Sequence, residues 1–585
     1  MTARCRIPVT FARMAAVLLP AVLLPAVLLP TGARAAAGAD GGDWILGAMQ
    51  DELARSRKSL QLEGYDAPYY IAYTVRDTDR QYVSGKFGAV FQSQSFRNRQ
   101  AQVDVRVGSY DLDSSEDNDS FFNPRQKFTP NNIAPLDDRS ETALRRVLWL
   151  LTDYRYKAGL MSYLTVKSKS VNDPKAREAG SLTREAPFRL LEDRPAPGFD
   201  RKAWERDVRK ISAVLLDYPD IFDSSVEVSQ VRLVRHFVNT EGTVVRAVDD
   251  YLQLLVLAVT RAEDGMLLQD TVNWYGRRPE DLPAADAAIR DLRTMADRLV
   301  KMRKAPVLDP LTVPVLMSPE ATGVFFHETV GHRLEGHRQQ GEEEGRTFKG
   351  QVGQKILPEA IDIEDDPTVV AAAGVSLNGA YRADDEGVKA GKAVLVEGGV
   401  LKGFLMSRKP IEGFSKSNGH GRSDGFQPAV GRMGNLMIKG RAPMPAAQMK
   451  DLLLQEVRRQ GKPFGIRIES IAGGSTNTSS FGYQAYKGMP RVSYRVDAET
   501  GEETLVRGIE IVGTPLSSIN KIVATSDRYG VFNGYCGAES GMVPVSTVAP
   551  DMLFAEIELQ RAQEGTERAP VLPPPEVVVV GGGRR

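Results

Sequence analysis

Apolar and polar residues recur with two different periods in the first half of the chain. Helical spacing predicts helices over 43–62, 139–164, 200–219 and 283–303. Stretches rich in aromatic and β-branched residues lie between these helices and predict strands, the longest over 224–260 with a hairpin turn at Glu241-Gly242. We therefore expect an antiparallel sheet covered by helices.

The second half of the chain changes to a predominantly β pattern. A short apolar strand leads into Ser318, Pro319 and Glu320, which supply a helix cap, a proline at the first helical position and an acid in the first turn. Beyond the helix that begins there, the pattern predicts a hairpin turning at Gly398-Gly399, a helix over 446–460 and strands from Phe464 to Val512. The predicted fold class is α+β, with an N-terminal antiparallel sheet-and-helix domain followed by a β-rich C-terminal domain.

The N-terminus has the order of a secretory signal. Arginines at 4, 6 and 13 precede an apolar run and then small residues, which predicts cleavage after Ala35 or Ala37. The alternative is a transmembrane anchor, but prolines interrupt a run that is already shorter than the usual span of about 20 residues. We expect an exported protein, periplasmic or extracellular, without stable membrane insertion. The predicted parts are 1–37 signal peptide, 38–305 N-terminal α+β domain, 306–565 C-terminal β-rich domain and 566–585 Pro/Gly-rich tail.

Composition limits the possible partners and the role of cysteine. Lys+Arg and Asp+Glu both number 75 in 585 residues, so no long-range field would attract nucleic acid or anionic lipid. Removal of the signal would leave Cys536 as the single thiol of a protein in an oxidising compartment, where it has no intrachain disulfide partner. Cys536 is then a small buried hydrophobe, a metal ligand or a nucleophile.

Three of the five histidines lie in "HETVGHRLEGHR", His327 to Arg338. A zinc-protease helix places two histidines four residues apart, with a glutamate as base, whereas His327 and His332 are five apart. At about 100° per residue these two side chains would point roughly 140° apart on a regular helix. A π-type bulge at Gly331 would bring them to one face, and we predict such a bulge. In the alternative reading the helix is exposed and its histidines and acids form a solvated surface.

A catalytic zinc site needs a third protein ligand and an open position for water. The candidates are Glu335, His337 and Cys536. Glu335 is so close along the helix that it would orient a ligand rather than bind, and His337 is expected at the surface or rim. Cys536 lies in a predicted Gly-flanked loop that could bring a thiolate to the ion.

Several separated stretches resemble the TldD/PmbA family of metallopeptidases, in its active, TldD-like branch. They are "VNTEGT", "HETVGHRLEG", "GAYRADDEGVKAGKAVLVEGGVL", "SNGHGRSDGFQPAVGRMGNL" and "YCGAESGMVPVS". The resemblance implies one Zn²⁺ per chain held by His327, His332 and Cys536, with Glu328 polarising the attacking water. It also implies a dimer, either a homodimer or a heterodimer with a TldE/PmbA-like subunit, that admits unfolded peptides as an added strand. His420, Arg422 and Asn435 would contact the substrate backbone; alternatively they support a loop.

The first hypothesis is a zinc metallopeptidase that hydrolyses unfolded or extended peptides. The alternative from another class is a non-catalytic TldE-like peptide-binding or assembly subunit, which would have no use for an intact base at Glu328. A thiol enzyme with Cys536 as nucleophile is disfavoured, because no histidine with an acid or amide partner lies near it in sequence.

Overall fold

The computed structural model describes residues 43–116, 128–172, 180–340, 347–476, 486–513 and 518–562, together with positions 565, 567–568, 570 and 572–575. The predicted signal peptide, 1–37, lies outside the described residues, as does most of the predicted tail, 566–585. The helices are α1 Trp44–Ser59, α2 Glu141–Asn172, α3 Arg201–Ala213, α4 Ala285–Met302, α5 Pro319–Thr329 and α6 Met449–Arg459. Each begins within three residues of its predicted start.

The strands fall into two groups along the chain. The first group is β1 Tyr70–Lys86, β2 Ala89–Arg106, β3 Arg189–Leu191, β4 Asp223–Asn239, β5 Val244–Arg261 and β6 Leu267–Gly276. The second group is β7 Leu311–Met317, β8 Ile361–Asp365, β9 Ala371–Ala372, β10 Val375–Ser376, β11 Ala393–Glu397, β12 Val400–Leu401, β13 Gly421–Arg422, β14 Val430–Gly431, β15 Asn435–Gly440, β16 Phe464–Thr476, β17 Tyr486–Asp497, β18 Glu503–Val506, β19 Ile509–Gly513, β20 Ile522–Ala538 and β21 Gly541–Arg561.

The first group forms a sheet in the order β2-β1-β4-β5-β3, with β6 also on β5. All its pairs are antiparallel except the short β3–β5 pair. In β5 every second residue is buried along most of the strand, as expected for one face against a core. One core joins this sheet to α1 and α2, and another joins it to α3 and α4. The hairpin turn predicted at Glu241-Gly242 is confirmed, with Gly242 at φ +100° between β4 and β5.

Most of the second group forms a larger sheet that closes on itself. Strands β21, β19, β17, β16 and β7 pair in that order, and β7 pairs back with β21. Helix α5 packs against β16, β20 and β21, and its Phe325 and Phe326 lie in the largest apolar core of the described residues. The ring of strands thus fixes the helix that carries the histidines.

The predicted fold class is confirmed: an antiparallel sheet with helices precedes a β-rich part. Residues from Asp43 onward form one compact unit, so the predicted boundary between 305 and 306 remains a prediction. Within the described part of the chain, no helix is both long and apolar enough to cross a bilayer.

Candidate metal centre

Helix α5 begins as predicted and is tied to the sheet at its first residue. The Ser318 hydroxyl accepts a hydrogen bond from the Ala321 N–H at 3.2 Å and donates one to the Glu469 carbonyl of β16 at 2.6 Å. Pro319 occupies the first helical position, where its missing N–H leaves no helical hydrogen bond unmade. The cap therefore sets both the start of α5 and its position on β16.

The end of α5 corrects one prediction, because no π-bulge forms. The α-helix ends at Thr329, and Gly331–Leu334 continue as a 3₁₀ turn. The Arg333 guanidinium, which is buried, folds back and donates hydrogen bonds to the carbonyls of Thr329 at 2.9 Å and Glu328 at 3.3 Å. These carbonyls face the end of the helix, where a cation is favourable. The helix thus stops between the histidines, and the change of direction replaces the bulge in rotating His332.

Gly331 lets this turn pack closely against its neighbours. A Cβ atom on Gly331 would lie 2.2 Å from the Met433 sulfur and 3.4 Å from Cδ2 of Leu436. The structure shows that its missing side chain lets the turn approach β15 and the loop before it.

Three donor atoms converge beside this turn. The Cys536 sulfur lies 3.2 Å from Nε2 of His327 and 3.4 Å from Nε2 of His332. All three residues are buried, and the two imidazole rings are nearly perpendicular, at 84°. Zinc bonded to nitrogen at about 2.0 Å and sulfur at about 2.3 Å in a tetrahedron would separate these atoms by about 3.5 Å. The two imidazoles and the thiol therefore fit a zinc ion that keeps its fourth position open.

The charges of this cluster favour a cation. Burial alone would raise the pKa of the Cys536 thiol, but the imidazoles of His327 and His332 outweigh it and hold that pKa well below its usual range. Burial alone would lower the pKa of His332, whereas the Glu335 carboxylate and the Cys536 sulfur raise it well above its usual value. Without a metal these shifts favour a Cys536 thiolate beside a protonated His332, and a metal ion would bind the thiolate and displace the proton from the imidazole.

Glu335 lies behind His332, on the side of the ring away from Cys536. Its Oε1 is 3.2 Å from Nδ1 of His332, which leaves Nε2 facing Cys536. The fully buried carboxylate is also held by Arg338, whose Nε donates to Oε2 at 2.7 Å, and by Arg432, at 3.3 Å from Oε1. Arg432 donates in turn to the Cys536 carbonyl at 2.8 Å, so one guanidinium links the histidine and the cysteine sides of the cluster.

Cys536 lies in a strand, and the prediction of a loop is wrong. It is in β20, paired with Val543 of β21, and the turn of this hairpin follows at Glu539 and Ser540. The glycines around Cys536 suggested a loop, but Gly534 and Gly537 both continue the ladder with β21. A strand holds the sulfur at a position set by cross-strand hydrogen bonds.

Glu328 is half-buried in the last turn of α5, next to His327. Its Cγ lies 3.0 Å from the place that a Cβ of Gly474 would occupy, so it borders β16. Tyr486 of β17 was not among the predicted site residues, but its ring lies 2.8 Å from the same point. No motif marks this tyrosine, because its proximity arises from the pairing of β16 with β17.

The three residues predicted to contact substrate are buried and have partners within the protein. The ring nitrogens of His420 lie 3.2 Å from Oδ1 of Asp365 and 2.9 Å from Oδ1 of Asn418. Arg422 donates to the carbonyls of Met433 and Pro544, and the Asn435 amide donates to those of Asp366 and Val369. These contacts favour the alternative in which the three side chains support loops.

His337, predicted at the rim, is partly buried and lies 3.5 Å from Glu539. One possible metal-ligand atom from each of Glu335, His337 and Glu539 lies within 4.8 Å of the other two, a spacing that could hold a second ion. The same two carboxylates flank Arg338, which donates to both. The Arg338 guanidinium therefore neutralises both carboxylates, and the group is an ion-pair network and not a metal site.

The sequence is similar to those of known metallopeptidases. Residues 310–561 match the PmbA/TldA metallopeptidase C-terminal domain. A metalloprotease of Methanothermobacter thermautotrophicus is 29% identical over 325 residues, which cover 54% of this chain and 64% of that protein. A zinc metalloprotease TldD homolog of Saccharolobus solfataricus is 25% identical over 270 residues, 46% of this chain and 56% of that protein. The matches therefore span less than two thirds of the length of either relative.

Among solved structures, TldE from Thermococcus kodakarensis has a similar fold. The TM-score is 0.60 at 16% identity, and the match covers 88% of this chain and 100% of that one. At this identity the likeness concerns the fold alone.

Proposed function

Because this chain belongs to the TldD/PmbA metallopeptidase family through its residues 310–561, we propose that it is a zinc-dependent peptidase acting on unfolded or extended peptides. The observation that carries the proposal is the convergence of His327, His332 and Cys536 beside Glu328. We further propose that the protein is exported, and that it works as a homodimer or with a TldE/PmbA-like subunit.

His327, His332 and Cys536 would hold the metal, one ion per chain. A zinc ion in such a site lowers the pKa of a water and polarises a carbonyl oxygen. Glu335 keeps Nε2 of His332 as the binding atom, because its carboxylate takes the hydrogen bond of Nδ1. Arg432 keeps the strand of Cys536 against the same carboxylate.

Glu328 would act as the base. Its carboxylate takes one proton from the attacking water, while the water oxygen bonds to the carbonyl carbon and the carbonyl oxygen becomes an anion. Glu328 then returns the proton to the amide nitrogen as the C–N bond breaks, giving a carboxylic acid and an amine, and transfer of the remaining hydroxyl proton to the amine leaves a carboxylate end and an ammonium end. Its half-buried position at the end of α5 gives it access to water and to substrate.

The likeness in fold to TldE keeps the peptide-binding subunit as the second candidate. Such a subunit would bind peptide and leave it intact. The retained Glu328 beside three convergent donor atoms favours the peptidase, since binding alone makes no use of a base.

The deciding experiment compares the zinc-loaded protein with its Glu328→Gln variant on an unfolded casein substrate. Loss of a general base predicts a fall in kcat of about 10²–10⁴-fold, with zinc content unchanged by elemental analysis. Glu412→Gln is the matched control, since Glu412 is an exposed glutamate of a surface turn. Equal cleavage by wild type and Glu328→Gln would remove Glu328 from the mechanism, and peptide binding without cleavage by the wild type would support the TldE-like alternative.

A further inference from the structure

A buried tyrosine with an unused hydroxyl lies beside the proposed base. Tyr486 is 1% exposed, and within the described residues its hydroxyl has no hydrogen-bond partner. Its ring packs edge-on against Phe325 of α5 at 5.4 Å between ring centres. A buried hydroxyl without a partner costs about 1–3 kcal/mol, so its presence here calls for a reason.

Two glycines make the space in which this hydroxyl lies. Gly474 and Gly488 face each other across β16 and β17. A Cβ on Gly488 would lie 2.2 Å from the Tyr486 hydroxyl oxygen, and one on Gly474 would lie 2.8 Å from the ring and 3.0 Å from Cγ of Glu328. The glycine pair therefore leaves a patch of sheet without side chains, where the phenol and Glu328 lie side by side.

The phenol remains a hydrogen-bond donor at any working pH. Burial raises the pKa of Tyr486 well above its usual value, and the nearby Glu328 carboxylate raises it further. The group therefore keeps its proton.

We propose that the Tyr486 hydroxyl donates a hydrogen bond to the carbonyl oxygen of the scissile peptide bond as that oxygen becomes an anion. The inference rests on the proposed function. No proton is transferred: the O–H bond of Tyr486 stays intact, and the proton of the attacking water goes to Glu328. Because the hydroxyl has no partner among the described residues, its hydrogen is left for an acceptor that the substrate brings, and a donor fixed by packing before the reaction stabilises the transition state.

This role differs from that of a residue that merely positions Glu328. A positioning tyrosine would alter the pKa of the base, and its removal would shift the acidic limb of the pH profile. A donor to the oxyanion lowers kcat and leaves that limb unchanged.

The test is Tyr486→Phe in the zinc-loaded protein, with Tyr494→Phe on the same strand as the control. Loss of one oxyanion donor predicts a fall in kcat of about 10²–10³-fold, with KM within about twofold and zinc content and the acidic limb unchanged. Gly488→Ala keeps the phenol but occupies the position of its hydroxyl, and should lower kcat in the same direction.

A second readout does not depend on turnover. A phosphinic peptide, in which a tetrahedral anionic group replaces the scissile amide, should bind Tyr486→Phe about 100-fold more weakly than wild type, in keeping with the loss of one such donor. An unmodified peptide should bind the Glu328→Gln variant and the Glu328→Gln/Tyr486→Phe double variant with equal affinity. The proposal would be overturned if Tyr486→Phe kept the wild-type kcat, kept the wild-type affinity for the phosphinic peptide, or shifted the acidic limb of the pH profile. In each of these cases Glu328→Gln would still be inactive, so the proposed function would stand. A wild type without peptidase activity would instead overturn the proposed function and this inference together.

Discussion

His332 and His420 are both buried histidines next to a fully buried carboxylate, but their second ring nitrogens have different surroundings. In His332, Nδ1 lies beside the Glu335 carboxylate and Nε2 lies 3.4 Å from the sulfur of Cys536. In His420, Nε2 lies beside Oδ1 of Asp365 and Nδ1 lies beside Oδ1 of Asn418, so both ring nitrogens face oxygen atoms. A histidine in a polar cluster is a candidate metal ligand when one nitrogen still faces other donor atoms. The cluster around His420 is instead complete without an ion.

Cys536→Ser should show the largest difference between the His332 cluster and the His420 cluster, because this variant should lose its zinc. The hydroxyl of serine is a harder and far less acidic donor than the thiol, whose pKa the neighbouring imidazoles hold low. We expect zinc affinity to fall by more than ~100-fold, beyond the range for residues that only orient a ligand. Competition with a fluorescent chelator measures it. Unchanged affinity and stoichiometry would mean that Glu335 or another group binds in place of the sulfur.

Glu335→Gln should lower the zinc affinity less than Cys536→Ser does. The amide keeps the size of the carboxylate but removes the charge that raises the pKa of His332. Zinc affinity should fall by about 10–100-fold, measured with the same chelator on the folded fraction. Glu456→Gln is the matched control, because Glu456 of α6 is also a buried glutamate and accepts hydrogen bonds from Arg459 and from Gln460, the residue after the helix. An equal fall in both variants would assign the effect to general destabilisation.

The smallest effect on zinc is expected at the other cluster. His420→Ala removes one partner of the buried Asp365 and should lower the free energy of unfolding by about 1–3 kcal/mol. Denaturant melts measure this fall, whereas zinc content by elemental analysis and kcat on unfolded casein, both per folded molecule, should stay within about twofold. If this variant folded normally but lost peptide binding, His420 would be a substrate contact and the distinction between the clusters would fail.

The sequence predicted those features that depend on neighbouring residues in the chain. Ser318 and Pro319 predicted the start of α5, and the alternating strands predicted the fold class. The end of α5 was not predictable in this way, because it depends on Arg333 folding back onto carbonyls and on Gly331 packing against Met433.

The rest of the candidate site required long-range pairing. Cys536 was expected in a loop because local glycines resemble turn residues, but the β20–β21 register places it in a strand. Arg432 and Tyr486 carry no local signal at all. Each comes near the cluster through the sheet or through an ion pair with a residue distant in sequence.

The most direct test of the central claim is zinc-edge X-ray absorption of the purified protein, beside Cys536→Ser loaded with excess zinc. We expect one sulfur at about 2.3 Å and nitrogen or oxygen ligands at about 2.0–2.1 Å in the wild type, and no sulfur in the variant. A wild-type shell without sulfur, or the same sulfur signal in both proteins, would contradict the claim that His327, His332 and Cys536 share one ion.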